Sequence, residues 1–164
     1  MSSPGNSTAV GSLRISTVIP AYNRADVIAD TLTSLLEQTS PPSEIIVVDD
    51  GSTDGTCEVV EAFGPAVTLF QQKNAGAGAA RNAGLARSTG DIIHFMDSDD
   101  ISSLNTYEVQ AQAIEEGADI VHGPWLKTRF EGKTLWPERF VHQQHPLPES
   151  ARMNEVVLLG QWIT

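Results

Sequence analysis

The sequence predicts an α/β protein, a mostly parallel sheet flanked by helices on both sides. Three observations predict it. Short β-rich runs alternate with longer runs of helical spacing along the chain. Ile45-Ile46-Val47-Val48 is an unbroken β-branched run, as in a strand buried on both faces. Charged and glycine-rich clusters fall where the strand runs end, and open α/β sheets bind ligands beyond the carboxyl ends of their strands.

Taken in order, strands are expected at Arg14–Pro20, Glu44–Asp49, Ala66–Gln71, Asp91–Met96 and Asp119–His122. Helices are expected at Asp26–Thr39, Asp54–Phe63, Ala77–Ser88 and Ser102–Glu116. Strands that alternate with helices pair in parallel. After Asp119 the pattern changes. Trp125–Pro137 reads as an antiparallel hairpin turning around Glu131-Gly132-Lys133. A Pro- and Gln-rich connection follows from His142 to Pro148, and a last helix is expected from Ser150. Residues 1–11 are small and polar and read as a flexible tail, residues 12–123 as one α/β domain, and 124–164 as the start of a further region. The chain stops after the apolar pair Trp162-Ile163 with no terminating signal, so it is expected to be cut short.

At 164 residues the chain has room for one hydrophobic core. Ten Lys and Arg against 21 Asp and Glu give a formal net charge of −11. That balance argues against a nucleic-acid surface, which needs a basic face, and disfavours adsorption to an anionic membrane. Cys57 stands alone, which excludes an intrachain disulfide and makes a reducing compartment the expectation. No apolar run approaches the roughly 20 residues of a membrane helix. The expected location is cytoplasmic, with membrane association only through a segment not present in this chain.

Met96-Asp97-Ser98-Asp99-Asp100 is the strongest chemical feature. Three carboxylates close an apolar strand, and their mutual repulsion asks for a cation or solvent. Hard oxygen ligands with open positions suit Mn²⁺ or Mg²⁺, which would join the protein to a diphosphate. Asp100 is expected to cap the next helix instead.

Val48-Asp49-Asp50-Gly51-Ser52-Thr53-Asp54-Gly55 leaves the second strand in a tight turn. Asp54 or Ser52 can cap the helix that follows. Of Asp49 and Asp50, one can accept from a ring N–H of a base while the other fixes the turn. Ile19-Pro20-Ala21-Tyr22-Asn23-Arg24 ends the first strand. Tyr22 there can stack on a planar base, with Pro20 shaping the backbone beneath, or simply cover the sheet edge.

In Lys73 to Gly84, small residues let a helix N-terminus approach an anion. Arg81 adds either a phosphate-matching fork or a salt bridge to the aspartates. Gly84 and Ala83 suit close helix–sheet packing. His94, His122, His142 and His145 form no metal or triad spacing and read as structural or surface groups.

Read together and in order, these segments resemble glycosyltransferase family 2. The resemblance rests on Ser16 to Asn23, Gln38-Thr39, Glu44 to Thr56, Asn74 to Gly84, Gly90-Asp91 and Phe95 to Asp100. It implies the GT-A fold, a Rossmann-like sheet that binds a nucleoside-diphosphate sugar through a divalent metal. It further implies that Tyr22 stacks on the base beside Pro20, and that Asp50 accepts from the base N–H. Asp97-Ser98-Asp99 matches the family's Asp-x-Asp motif, with Asp99 the metal ligand and Asp97 supporting it or meeting the ribose. Arg81 is similar to a family Arg near the donor.

The implied reaction is inverting transfer of a sugar, from UDP-sugar by family habit, to a carbohydrate or other hydroxyl acceptor. The family's general base lies beyond the region matching this chain, and is expected beyond Thr164. Two rival functions remain: a module that binds nucleotide sugar without transfer, and a phosphorylatable receiver domain, which leaves the Asn74–Gly84 segment unexplained. An exposed edge left by truncation would offer a homodimer contact.

Overall fold

A computed structural model describes residues 13–122, 125–131 and 134–141. The chain divides after Ala111 into two compact units. The first holds a four-stranded parallel sheet in the order β3-β2-β1-β4, made by β1 (Ile15–Ala21), β2 (Glu44–Asp49), β3 (Thr68–Gln71) and β4 (Ile92–Phe95). Each strand falls within or next to its expected run. The second holds an antiparallel hairpin of β5 (Trp125–Glu131) and β6 (Thr134–Val141). The hairpin extends four residues past the expected Pro137; its turn residues 132 and 133 lie outside the described residues, as does the helix expected from Ser150.

Alternation along β1 and β2 sends side chains to two faces, and helices cover both. On one face Ile15, Ile19, Ile45 and Val47 join Ile28, Leu32 and Leu35 of α1 (Ile28–Leu36), Val60 of α2 (Thr56–Glu61), and Tyr107 and Ala111 of α4 (Thr106–Glu115). The spacing of Ile28, Leu32 and Leu35 puts them on one side of α1, which explains why this helix docks there. On the other face Ile46 and Val48 pack with Ala80 of α3 (Ala77–Leu85). Gly84 brings α3 close: a Cβ at that position would fall 2.3 Å from Val18 Cγ1. Close packing is thus the role of Gly84.

A polar cluster sits inside the first core. The Tyr107 hydroxyl, fully buried, meets Thr17 Oγ1 at 2.5 Å and His94 Nδ1 at 2.8 Å. Burial pushes the His94 pKa down to about 4, so the ring is neutral at ordinary pH.

Two expectations are corrected. Asp119–His122 forms no strand. Gly117, at φ +103, ends α4 by donating to the Ile114 carbonyl while Ala118 donates to that of Ala113. This Schellman closure ends the helix, and beyond it Ile120 and Val121 are only part-buried and pair with no strand among the described residues. The second concerns Asp100, which does not cap α4. That helix starts at Thr106 because residues 102–104 are already committed to α1 and the segment after it. Ser102 N–H donates to Ser34 Oγ, Gln38 Nε2 donates to the Ser103 carbonyl, and Thr39 N–H donates to the Leu104 carbonyl.

The sheet has a topological switch point. The chain moves from β1 outward to β2 and β3, then returns to place β4 on the other side of β1. β1 pairs with β2 as far as Ala21↔Asp49, but with β4 only as far as Val18↔Phe95. Pro20 helps to end the second ladder. Val18 turns its carbonyl to Met96 beyond β4, so Pro20, two residues on, faces the same side and has no N–H to offer. The strands part there, which is where an open α/β sheet leaves a ligand crevice at its carboxyl ends.

Candidate functional site

Four segments converge at that end of the sheet. The first leaves β1. Pro20 is buried within the strand, opposite Val48, and Tyr22 follows with 47% of its surface exposed. Asn23 takes the left-handed conformation at φ +52, which its short amide tolerates better than most side chains. Its N–H donates to Ser52 Oγ at 2.8 Å and its Oδ1 accepts from the Thr53 N–H at 2.9 Å. The turn after β1 is thereby tied to the turn after β2.

The second segment begins with two buried aspartates, Asp49 and Asp50, 2% and 3% exposed. Asp49 Oδ2 accepts from Ser52 N–H, which shapes the turn, while its Oδ1 has no hydrogen-bond partner among the described residues. The Cys57 thiol nearby is pushed up to about 11 by burial and by Asp49, so it is unreactive. Ser52 does not cap α2, being bound to Asn23. Asp54 does serve that helix start, its Oδ1 accepting from the Thr56 N–H at 3.0 Å.

Asp50 carries more bonds. Its Oδ1 accepts from Gln72 Nε2 at 2.7 Å and Ala75 N–H at 2.9 Å, and its Oδ2 accepts from Gly76 N–H at 2.7 Å. Burial pushes its pKa up, but these three donors outweigh burial and hold the carboxyl below the usual range. Asp50 is therefore an anion inside the protein, and it anchors the loop before α3. Gly76 sits at φ +90 at the head of that helix. Gly51 is also required, because at φ +79 an added Cβ would fall 3.0 Å from Asn74 N.

From α3 comes Arg81. Its side chain is 15% exposed, and its guanidinium donates to Asp97 Oδ1 at 2.6 Å. Of the two roles open to Arg81, the salt bridge to the acidic turn is the one present. The fourth segment is that turn itself. Ser98 is buried and its carbonyl accepts from Thr31 Oγ1 of α1 at 3.0 Å, which fixes the turn between Asp97 and Asp99. Those two carboxylates stay about half exposed, and Asp99 Oδ2 lies 3.8 Å from Arg24 Nε. The Asp100 carboxyl is pushed above the ordinary range, by desolvation first and then by the charges of Asp97 and Asp99, although the residue as a whole is exposed.

Pro20, Tyr22 and Asp50 thus stand at the ends of β1 and β2, while Arg81, Asp97, Ser98 and Asp99 line the end of β4 across the crevice. The donor set fits a divalent cation that brings its own ligands. Among the described residues no group of three or more His, Cys, Asp or Glu could hold a metal by itself. Two accessible carboxylates with open positions are instead the set a hard cation uses when phosphates complete its shell. Sequence reasoning gave no role to Arg24, Asn23 or Gln72. An Asn two residues past the strand is the signal that could have pointed to the left-handed turn.

Among the described residues no helix is long and apolar enough to cross a membrane. The sequence profile described as "Glycosyl transferase family 2" matches residues 16–158. A Rickettsia bellii protein named "Uncharacterized glycosyltransferase" is 36% identical over 125 residues, 74% of this chain and 18% of that protein. The Bacillus subtilis "Putative teichuronic acid biosynthesis glycosyltransferase TuaG" is 37% identical over 106 residues, 62% of this chain and 42% of its own length. Among solved structures, Staphylococcus aureus TarS 1–349 in complex with UDP-GlcNAc superposes with a TM-score of 0.60 at 29% identity. That match covers 71% of this chain and 39% of TarS 1–349, so the chain spans well under half of each of these proteins.

Proposed function

The chain belongs to glycosyl transferase family 2, and from that footing we propose that it is the donor-binding part of an inverting, metal-dependent glycosyltransferase. The donor is a nucleoside-diphosphate sugar, with UDP favoured by the UDP-GlcNAc complex of TarS. The observation that carries the reading is the convergence of an exposed Tyr, a buried ionised Asp and two accessible carboxylates on the switch-point crevice.

In this reading the Tyr22 ring stacks on the base above the rigid Pro20. Asp50 Oδ2, which accepts one protein N–H, uses a remaining lone pair for the base N–H. Asp99 and Asp97 would hold Mn²⁺ or Mg²⁺. A cation bound there supplies Lewis-acid neutralisation of the departing diphosphate. Arg81 keeps Asp97 in place from the α3 side and adds positive charge near the same oxygens. An acceptor hydroxyl, deprotonated by a general base that this chain does not identify, would displace the diphosphate at the anomeric carbon and invert it. Acceptor, homodimer and cytoplasmic location belong to the same proposal, as does the division into a donor domain over 12–123 and an acceptor-side region from 124.

Calorimetric titration of UDP tests the reading, with Mn²⁺ and then with EDTA. Binding that needs the metal and disappears in Asp99→Ala is expected. Binding that persists with EDTA, or in Asp99→Ala, sinks the metal-dependent part. No binding of UDP, GDP or dTDP sinks the donor-site reading. UDP-sugar bound with neither transfer nor hydrolysis would favour a binding module.

A further inference from the structure

Arg24 has a firmly held backbone and a loosely held side chain. Its N–H donates to Thr56 Oγ1 at 2.8 Å, and its carbonyl accepts from the N–H groups of Val27 and Ile28 at 3.1 and 3.0 Å. The left-handed Asn23 before it is tied to the second turn at both ends. The Arg24 side chain, by contrast, is 43% exposed. It is held by the 3.8 Å approach of Nε to Asp99 and by a 3.2 Å bond from one terminal nitrogen to the Asn23 carbonyl. The Arg81–Asp97 pair differs on both counts, being 2.6 Å long with its arginine side chain mostly buried.

This contrast has a physical consequence. An exposed ion pair at the edge of contact distance is among the weakest interactions in a protein. Either member leaves when a stronger partner arrives. Arg24 sits after β1 and Asp99 after β4, so the pair spans the crevice where those strands part. A diphosphate there offers Arg24 oxygens matched to its planar fork.

Resting on the donor reading above, we propose that Arg24 is a diphosphate-binding residue that occupies Asp99 until the donor arrives. It then exchanges the carboxylate for phosphate oxygens and frees Asp99 for the metal. A divalent ion arriving alone must displace the guanidinium and share the crevice with its charge. An ion arriving with diphosphate meets neither obstacle, because the phosphate draws the guanidinium away. Metal and nucleotide therefore bind cooperatively, and each strengthens the other by the same factor.

The test measures Mn²⁺ alone by the EPR signal of the free ion, and UDP by calorimetry in saturating Mn²⁺. Wild type, Arg24→Gln and Arg24→Lys are compared. Arg24→Gln is expected to bind Mn²⁺ alone about fivefold more tightly, as the weak ion pair no longer competes. It is expected to bind UDP about tenfold more weakly, as a charge-assisted phosphate contact is lost. Arg24→Lys should match wild type for Mn²⁺ alone and regain only part of the UDP affinity. Tighter Mn²⁺ binding cannot arise from a misfolded variant, so the two measurements together separate function from damage. UDP binding by wild type with either measurement unchanged in Arg24→Gln overturns the proposal alone. No UDP binding by wild type overturns the donor reading and this proposal with it.

Discussion

Asp50 Oδ2 accepts the N–H of Gly76 at 2.7 Å, so a carboxylate at the end of β2 fixes the left-handed residue from which α3 starts. Asp50→Asn puts an amide where two oxygens faced three donors. One N–H then meets another, and about 2 kcal/mol of stability is expected to be lost in urea denaturation. The acid limb changes as well. The folded pKa of Asp50 lies below its ordinary value, so its contribution is present above roughly pH 4 and is lost as pH falls through the folded value. Stability of the variant should therefore fall less steeply below pH 4 than that of wild type.

Gly84→Ala tests the seating of α3. The added methyl meets the stiff, branched Val18 and is expected to destabilise by about 1–3 kcal/mol, read from thermal or urea unfolding. In a Val18→Ala background the same change should be much milder. Simple additivity of the two would show that α3 relaxes away from the sheet without resistance.

His94 predicts a second pH effect, at milder acidity. Its pKa is lowered to about 4 in the folded chain, against about 6.5 when unfolded. The unfolded state binds the extra proton first, so stability present above pH 6.5 declines as pH drops from there towards 4, by about 2–3 kcal/mol. In His94→Gln that slope between pH 6.5 and 4 should largely vanish in a series of urea midpoints.

Tyr22→Leu separates a stacking ring from a mere cover for the sheet edge. The ring is 47% exposed, so stability should move by less than about 0.5 kcal/mol. UDP affinity should fall about tenfold, the scale of one aromatic–base stack. A destabilised variant with unchanged UDP affinity would identify the ring as cover.

What could be read from the sequence was whatever depends on local pattern. Ile45 to Val48 announced a doubly buried strand, and β2 lies there. The same reasoning placed a strand at Asp119–His122 because Ile120 and Val121 are apolar and β-branched. It could not see that Gly117 ends α4 by donating to one of the helix's own carbonyls, with those residues left part-buried and in no strand. The helix expected over Ser102–Glu116 is present, but it starts four residues late for a related reason. Its expected first residues bond to Ser34, Gln38 and Thr39, more than 60 positions away, and periodicity carries no trace of such partners.

The candidate site divides along the same line. Asp97, Ser98 and Asp99 were legible because a carboxylate cluster after an apolar strand is conspicuous. Their counter-ions were harder. Arg81 is 16 residues from Asp97, and a salt bridge was one of two roles it could take. Arg24 is 75 residues from Asp99, and nothing in its neighbours points there. The full set of donors to Asp50 was also hidden, since a residue bound on three sides looks in sequence like any aspartate in a turn.

Pro20 has a consequence that reaches past its own strand. Backbone hydrogen bonding is the force that would zip β1 to β4 along their whole length, and the N–H that Pro20 lacks helps to stop it at Val18. Three residues of β1, Ile19 to Ala21, run on alongside β2 alone, about 10 Å of strand at 3.3 Å per residue. The mouth of the crevice is therefore written in the main chain rather than in the side chains that line it. Those side chains can be exchanged for others without the opening healing over. A single fold of this kind can accordingly keep its slot while different residues around the rim choose what enters.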